Sequence, residues 1–189
     1  MLFPLRLSAQ SDEQLMQRAA RGNDRAFEEL YNRHARRLQG FFVRRLGNDS
    51  DLAADFMHDT FLRLYAAREK YHEGRNFRAW LYTIAYNLWK NHHRNQLTIV
   101  GDSSAVDGFP VDNSDIEVEL DEAILHNALR EVLKDLPDPY AMLFSLHYEE
   151  ELSVPQIAQI TELPEGTVKS RLHKTMNIIK TELKKYENR

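Results

Sequence analysis

The side chains best suited to binding a large anion lie near the C-terminus, on one side of a helix that begins near Pro164. Lys169, Ser170, His173 and Lys174 share that side, close to the N-terminal end of the helix. Ammonium, hydroxyl and imidazole groups donate hydrogen bonds to guanine and phosphate acceptors, so this side suits the major groove of duplex DNA. The other side of the helix is apolar and is expected to pack inward through Val168, Leu172, Met176, Ile179 and Leu183.

The residues before this helix predict the element that must hold it in place. Ser153 and Gln156 have the spacing of a capping box, and small Ala158 lets a second helix cross closely. A turn at residues 161–163 then leads to Pro164, a residue suited to a helix start. Together these features favour a DNA-binding helix-turn-helix over the alternative, a plain helical hairpin with a basic exposed face.

Composition limits the class of protein. The chain has 189 residues, 42% hydrophobic and 29% charged, with few glycines and prolines, which favours helices. It has no cysteine, which excludes disulfides and thiolate metal sites and fits a reducing compartment. No apolar run is long enough to span a bilayer, and residues 1–5 are too short for a signal peptide. We therefore expect a cytoplasmic protein with no membrane insertion.

The net charge of −4 hides an uneven distribution. Residues 1–95 carry 16 Lys and Arg against 11 Asp and Glu, and residues 96–135 carry 2 against 10. Residues 136–189 carry 7 against 8, but most of their basic residues lie between 166 and 185. Two basic surfaces are thus separated by an acidic joint, a pattern that fits nucleic-acid binding, although solvated helix faces are the simpler explanation.

Helical spacing of apolar residues predicts an all-α chain of two small domains. Residues 1–95 form a bundle of four or five helices, with breaks at 22–24, at Gly47 and at 71–76. The apolar residues of 26–31 and of 38–46 are assigned to separate helices, and Ser50 or Asp51 can cap the helix after Gly47. Residues 96–114 have no sustained period and are expected to be a flexible acidic linker. Residues 115–189 are expected to form a four-helix domain that contains the helix-turn-helix.

Three stretches of sequence together resemble one family. Residues 150–153, 156–158 and 164–172 are similar to the C-terminal domain of extracytoplasmic-function (ECF, group four) sigma factors of the sigma-70 family. Residues 24–31, 59–65 and 77–88 resemble the N-terminal domain of the same family, in the same order. The resemblance implies a bacterial transcription initiation factor that joins core RNA polymerase and directs it to promoters.

The resemblance implies a polymerase-binding surface on the N-terminal domain. In the family this domain docks on the coiled coil of the largest polymerase subunit, through the helix matched here by residues 55–65. It follows that Asp55, Asp59, Leu62 and Arg63 are candidate contacts. Without that resemblance, Asp59 and Arg63 would be an ordinary surface ion pair one helical turn apart.

The same domain, by resemblance, binds the −10 element as separated strands, which aromatic faces and cationic groups can hold. Trp80 is assigned to the core, and for Phe77 the core and DNA roles weigh equally. Helical spacing places four polar candidates on one face, opposite Leu81, Ile84 and Leu88. The candidates are Tyr71, Phe77, Asn87, Lys90, Asn91 and Arg94.

The C-terminal domain, by resemblance, reads the −35 element as duplex and rests on the flap of the second large subunit. The matched positions make Lys169, Ser170, His173 and Lys174 candidates for base edges, and Arg171 a candidate for a phosphate. The linker is expected to pass through the polymerase channel that otherwise holds nascent RNA, or to be a simple tether. An anti-sigma partner is also expected from the family.

Three residues depart from the family pattern. Glu162 stands where a turn glycine is usual, so we expect about 1 kcal/mol of strain or a different turn. Ala141 stands where arginine is common, which removes a phosphate contact. Pro139 replaces a charged residue, which is tolerable in the first turn of a helix.

Other sites are not indicated by the sequence. Adjacent His92 and His93 point about 100° apart on a helix, and the acidic residues 115–122 lack calcium-loop spacing. We expect no metal, no cofactor, no small-molecule substrate and no enzymatic activity. The alternatives to a sigma factor are a helix-turn-helix regulator with an N-terminal dimerisation or sensor domain, and a helical adaptor that binds protein only.

Overall fold

A computed structural model of the chain describes residues 7–100 and 122–187, with side chains for residues 7–94 and 127–185. The chain divides into two compact units, Met1–Ile99 and Val100–Arg189. The described ranges contain only α-helices and short helical turns joined by loops, and the predicted all-α fold of two small domains is confirmed. Most of the predicted linker, residues 101–114, lies outside the described residues.

From residue 7 onward, the N-terminal unit contains four α-helices, each of which begins where a side chain caps free backbone N–H groups. Ser11 and Gln14 cap each other's backbone at the first helix, and Asn23 accepts from the Ala26 N–H at the second. Asn76 caps the fourth helix by accepting from the Ala79 N–H at 2.8 Å. The helices are α1 (Asp12–Ala20), α2 (Asp24–Arg45), α3 (Ser50–Ala66) and α4 (Phe77–Val100).

Three predicted details of this unit are wrong. Residues 24–45 form one helix instead of two, because residues 32–37, which separate the two apolar groups, contain no glycine or proline and continue the helix. The cap of α3 is Asp49, which accepts from the backbone N–H groups of Asp51 and Leu52. Helix α4 continues through the first five residues of the predicted linker, since Gly101 is the first helix-breaking residue after Arg94.

Aromatic rings fill the centre of the N-terminal unit. Phe41 and Phe42 of α2 are fully buried, and Phe41 meets the ring of Tyr82 on α4 with centroids 5.4 Å apart. Phe42 meets Phe56 of α3 at 5.3 Å. Edge-to-face packing of this kind adds to the hydrophobic stabilisation, and it fixes α2, α3 and α4 side by side. Trp80 is 6% exposed, in keeping with the core position expected for it.

A charged network ties the start of the unit to α2. The Arg33 guanidinium donates to Asp12 at 3.0 Å, to Glu29 at 2.9 Å and to the carbonyl oxygens of residues 7, 8 and 10. His34 Nε2 lies 2.7 Å from the other Asp12 oxygen. Burial alone would raise the pKa of the Asp12 carboxyl, but hydrogen bonds and charge from His34 and Arg33 lower it below its usual value.

A lowered carboxyl pKa makes a stabilisation that is present above the unfolded-state value of about 3.9 and is lost as pH falls through the folded-state value. We expect Asp12→Asn to lower the free energy of unfolding by about 1–3 kcal/mol at pH 7, with a deficit that shrinks below about pH 4. Urea unfolding across pH measures this. Asp51→Asn, in the exposed first turn of α3, is the matched control; an equal, pH-dependent loss there would contradict the network's role.

Within residues 122–187, the C-terminal unit contains four α-helices around two adjoining apolar clusters. Phe144 packs with Ala128, Val132, Ile179 and Leu183 in one cluster. Leu136, Tyr140, Ala141 and Ile178 form the other. The helices are α5 (Glu122–Asp135), α6 (Asp138–Phe144), α7 (Val154–Thr161) and α8 (Glu165–Glu187), with a π-helical turn, Ser145–Glu149, directly after α6.

Helices α7 and α8 form the predicted helix-turn-helix. The Gln156 side chain folds back to accept from the Ser153 backbone N–H at 2.8 Å, as the capping box requires. Pro164 precedes α8 directly, and its carbonyl accepts from the Val168 N–H. Pro139 lies in the first turn of α6, and Ala141 is 2% exposed, so this chain uses that position for packing.

The turn between α7 and α8 forces a glutamate into a backbone conformation that favours glycine. Glu162 ends α7 with φ +60° and ψ +26°, the left-handed region. Such a conformation costs a residue with a Cβ about 1–2 kcal/mol. The strain expected from the sequence is therefore located at one residue.

Replacing Glu162 by glycine should relieve this strain. We expect Glu162→Gly to raise the free energy of unfolding by about 1 kcal/mol, measured by urea denaturation. Glu162→Ala removes the same carboxylate but keeps a Cβ, so it should give no gain. Equal gains in both variants would attribute the effect to the side chain and not to the backbone.

Candidate nucleic-acid interfaces

The outward face of α8 is set by the burial of its opposite face. Val168, Leu172 and Thr175 are buried, with exposed fractions of 0%, 6% and 0%. With 3.6 residues per turn, burial of these positions turns the predicted base-edge candidates Lys169, Ser170 and His173 outward, and all three are exposed. Three potential hydrogen-bond donors thus lie within about the first two and a half turns of α8.

The remaining two C-terminal candidates lie at the edges of this face. Lys174 is half-buried, with its Nζ 5.5 Å from the ring centroid of Tyr140 on α6. This cation–π contact directs the ammonium group along the unit's own surface, where a phosphate is easier to reach than a base edge. Arg171 lies three residues before Lys174, on the same flank of α8, and is half-buried, compatible with the predicted phosphate contact.

One residue of the α8 face was missed from the sequence. Asn177 lies one turn beyond His173, and its Nδ2 is 3.4 Å from His173 Nδ1. An amide beside an imidazole adds a donor and an acceptor to the row that begins at Lys169. The four-residue spacing from His173 was the signal that could have found it.

A second polar face lies on α4. Asn87, Lys90, Asn91 and Arg94 are all exposed, on the one face where helical spacing had placed them. The buried stripe opposite them consists of Leu81, Ala85 and Trp89, whereas Ile84 and Leu88, predicted to be inward, are half-buried at its edge. Arg94 donates weakly to Asn91 at 3.4 Å. This face offers two cations and two amides over about two turns.

The two aromatic candidates for binding separated strands are corrected. Phe77 is fully buried, with its ring 5.2 Å from that of His34 and its N–H donating to Glu13 at 3.3 Å. Tyr71 is 8% exposed and stacks on Trp80. Both lie in the core because the loop before α4 folds back over the helix, and neither presents a ring face to a nucleobase.

The loop before α4 presents the guanidinium group of Arg75 at its surface, where the rings of Tyr71 and Phe77 were expected. Arg75 lies 4.8 Å from the Trp80 ring centroid, and its carbonyl accepts from the Tyr71 hydroxyl at 2.5 Å. Burial lowers the pKa of Arg75 and, together with the Glu13 charge, raises the pKa of Tyr71 to about 12. A half-exposed planar cation on an aromatic stack can bind a phosphate or stack on a base. Arg75 lies between Tyr71 and Phe77 in the sequence, and this position was the signal that could have identified it as a candidate.

The candidate polymerase contacts share the exposed face of α3. Asp55 is exposed, and Asp59 pairs with Arg63 at 3.0 Å with side-chain exposures of 45% and 58%. Leu62 is 69% exposed, which is unusual for a large apolar side chain in the described part of the chain. An exposed leucine flanked by carboxylates suits a partner surface that is apolar with a basic rim.

No helix within residues 7–100 and 122–187 is long and apolar enough to cross a membrane. Among the same residues, no three His, Asp or Glu side chains are grouped as a metal ion would require.

An all-helical chain with a helix-turn-helix in one unit and a polar helix face in the other defines a class of DNA-binding protein. The family model for sigma-70 region 2 matches residues 30–97, and that for sigma-70 region 4 matches residues 126–177. The RNA polymerase sigma-H factor of Pseudomonas aeruginosa is 30% identical, over 92% of this chain and 94% of its own length. The ECF sigma factor SigW of Bacillus subtilis is 28% identical, over 87% and 92% respectively. The chain belongs to the sigma-70 family of RNA polymerase sigma factors, in its ECF group.

Solved structures agree on the fold. CnrH, in complex with the cytosolic domain of CnrY, superposes with a TM-score of 0.65 at 23% identity and covers 93% of this chain and 98% of that one. The sigma factor RpoE of Bartonella quintana, in complex with the anti-sigma factor NepR, gives 0.63 at 23% identity, covering 84% and 96%.

Proposed function

We propose that this chain joins core RNA polymerase and directs it to promoters by binding two DNA elements in different states. The observation that carries the proposal is the pair of polar helix faces, on α8 and on α4, in the units that match sigma-70 regions 4 and 2. The division of labour follows the predicted domains, with residues 1–95 for polymerase docking and the −10 element and residues 115–189 for the −35 element.

The α8 face is proposed to read the −35 element as duplex. Lys169, Ser170 and His173 stand at the end of the helix that enters the major groove in helix-turn-helix proteins. Asn177 extends the row by one turn, while Lys174 and Arg171 contact phosphates. A lysine that reaches guanine discriminates by about 1–3 kcal/mol, so Lys169 is the strongest candidate for sequence preference.

The α4 face is proposed to hold the melted −10 element. Separated strands expose base edges and faces that a duplex hides, and amide groups such as those of Asn87 and Asn91 can bind the edges. Lys90 and Arg94 supply cations for the backbone, and Arg75 adds a planar cation at the loop. The exposed side chains of α4 therefore take the role that Tyr71 and Phe77 were expected to share.

Helix α3 is proposed to dock on the coiled coil of the largest polymerase subunit, with the C-terminal unit on the flap of the second. Docking would bury Leu62, and its favourable free energy comes from removing that side chain from water. The complexes of CnrH and of the B. quintana RpoE support a further proposal, that an anti-sigma protein holds this chain inactive. We also propose that the chain acts in the cytoplasm and catalyses no reaction of its own.

Substitution of Leu62 distinguishes a role in polymerase docking from a role in the stability of the fold. Because its side chain is 69% exposed, Leu62→Ala should change the free energy of unfolding by less than about 0.5 kcal/mol. Burial against the polymerase is worth about 1.5–3 kcal/mol, so the same variant should weaken association with purified core enzyme about tenfold or more. Leu62→Met should restore association. Undiminished affinity of Leu62→Ala for core would exclude α3 as the docking helix.

Lys169 tests promoter reading. We expect Lys169→Ala to lose preference at one or two positions of the −35 element, by about 1–3 kcal/mol each, because a base contact is removed. The measurement is in vitro transcription with core polymerase on a promoter library randomised at −35. Lys184→Ala, exposed near the far end of α8, should weaken all promoters alike. Specific, tight binding of the wild-type chain to duplex DNA without polymerase would instead support a conventional regulator.

A further inference from the structure

The second half of α2 carries a concentration of arginines that the assignments above do not use. Residues 33–45 contain five arginines and no acidic residue. Arg33 belongs to the network that holds residues 7–10. Arg36, Arg37 and Arg44 are exposed, so three guanidinium groups meet solvent along one helix.

Helical spacing places these three arginines around a glycine. Arg36, Gly40 and Arg44 follow each other at intervals of four residues, and Arg37 lies beside them, over a length of about 12 Å. A Cβ built at Gly40 would meet one neighbour within 4 Å, Arg44 Nη1 at 3.4 Å. The Arg44 guanidinium therefore lies back along the helix beside Gly40, and a phosphate bound to it could come close to the Gly40 backbone because no side chain stands between them.

This surface adjoins the helix that carries the α4 face. His34 meets Phe77 at 5.2 Å and Phe41 meets Tyr82 at 5.4 Å, so α2 and α4 pack against each other and run in the same direction here. Arg44 thus lies beyond the level of Tyr82, toward the turns of α4 that present Asn87 and Lys90.

We propose that Arg36, Arg37 and Arg44, with Gly40 between them, bind the sugar-phosphate backbone of promoter DNA next to the strands held by α4. Guanidinium groups bind phosphate with two parallel hydrogen bonds, and residues 33–45 contain no carboxylate that would repel a phosphate backbone. Contacts of this kind set the position of the DNA and carry no sequence information. The inference rests on the proposed function, which brings promoter DNA to the N-terminal unit.

The test removes the three charges in the full chain bound to core polymerase. Each phosphate contact contributes about 0.7–0.9 to the slope of log affinity against log salt concentration, so R36Q/R37Q/R44Q should reduce the slope by about 2–3. The loss should be uniform across −10 and −35 sequence variants. The matched control is R18Q/R21Q/R25Q, which removes three exposed arginines elsewhere in the same unit and should leave the slope unchanged.

Each outcome separates this inference from the proposed function. An unchanged slope in R36Q/R37Q/R44Q, with a wild-type complex that binds promoter normally, overturns the inference alone. Weaker binding to core polymerase with an unchanged slope also overturns it, because the surface then contacts protein. Failure of the wild-type chain to bind core polymerase or promoter would refute the proposed function itself.

Gly40 supplies an independent test that leaves the charge unchanged. Gly40→Gln places a neutral side chain where the DNA backbone is inferred to approach, so promoter affinity should fall several-fold at fixed salt. The thermal midpoint should not fall, since glutamine favours helix and Arg44 is the one neighbour to be displaced. Undiminished promoter affinity in this variant contradicts a close approach at Gly40.

Discussion

The burial of one side of each helix determines which side chains can meet DNA. On α8 the packing of Val168, Leu172 and Thr175 leaves Lys169 and His173 outside, and on α4 the packing of Leu81, Ala85 and Trp89 has the same effect for the opposite face. Neither polar face is built from loops. A change in core packing would therefore rotate the binding groups, and the periodicity of 3.6 residues per turn links stability to recognition.

In the N-terminal unit, basic and acidic side chains lie on different helix surfaces. Basic residues of the N-terminal unit lie on the polar face of α4, on the loop at Arg75 and on the second half of α2, among other places, while the exposed face of α3 carries Asp51, Asp55 and Asp59. One small unit thus presents cationic surfaces for nucleic acid and an acidic, partly apolar surface for protein. Surfaces of opposite sign on different helices favour correct orientation of the two partners before any close contact forms.

The sequence predicted correctly those features that depend on local residue spacing. It did not predict the side-chain positions that depend on packing between helices. The helix-turn-helix, the capping box at Ser153 and the outward row on α8 follow from spacing alone. The burial of Tyr71 and Phe77 does not, because it depends on how the loop before α4 folds over α1 and α2. Asp49 displaced Ser50 as the cap of α3 because residues of similar capping strength stood side by side. The orientation of Lys174 depended on Tyr140, more than thirty residues away.

The hydrogen bonds from Arg33 to the backbone of residues 7–10 affect how the sequence of that segment can evolve. The Arg33 guanidinium holds the carbonyl oxygens of Leu7 and Ser8, groups that every amino acid possesses. The identities of those two residues can drift at little cost, whereas even lysine, which lacks the planar fork of donors, cannot substitute for the arginine. Homologous chains can therefore differ in sequence at residues 7 and 8 and still keep the backbone of this segment in the same position.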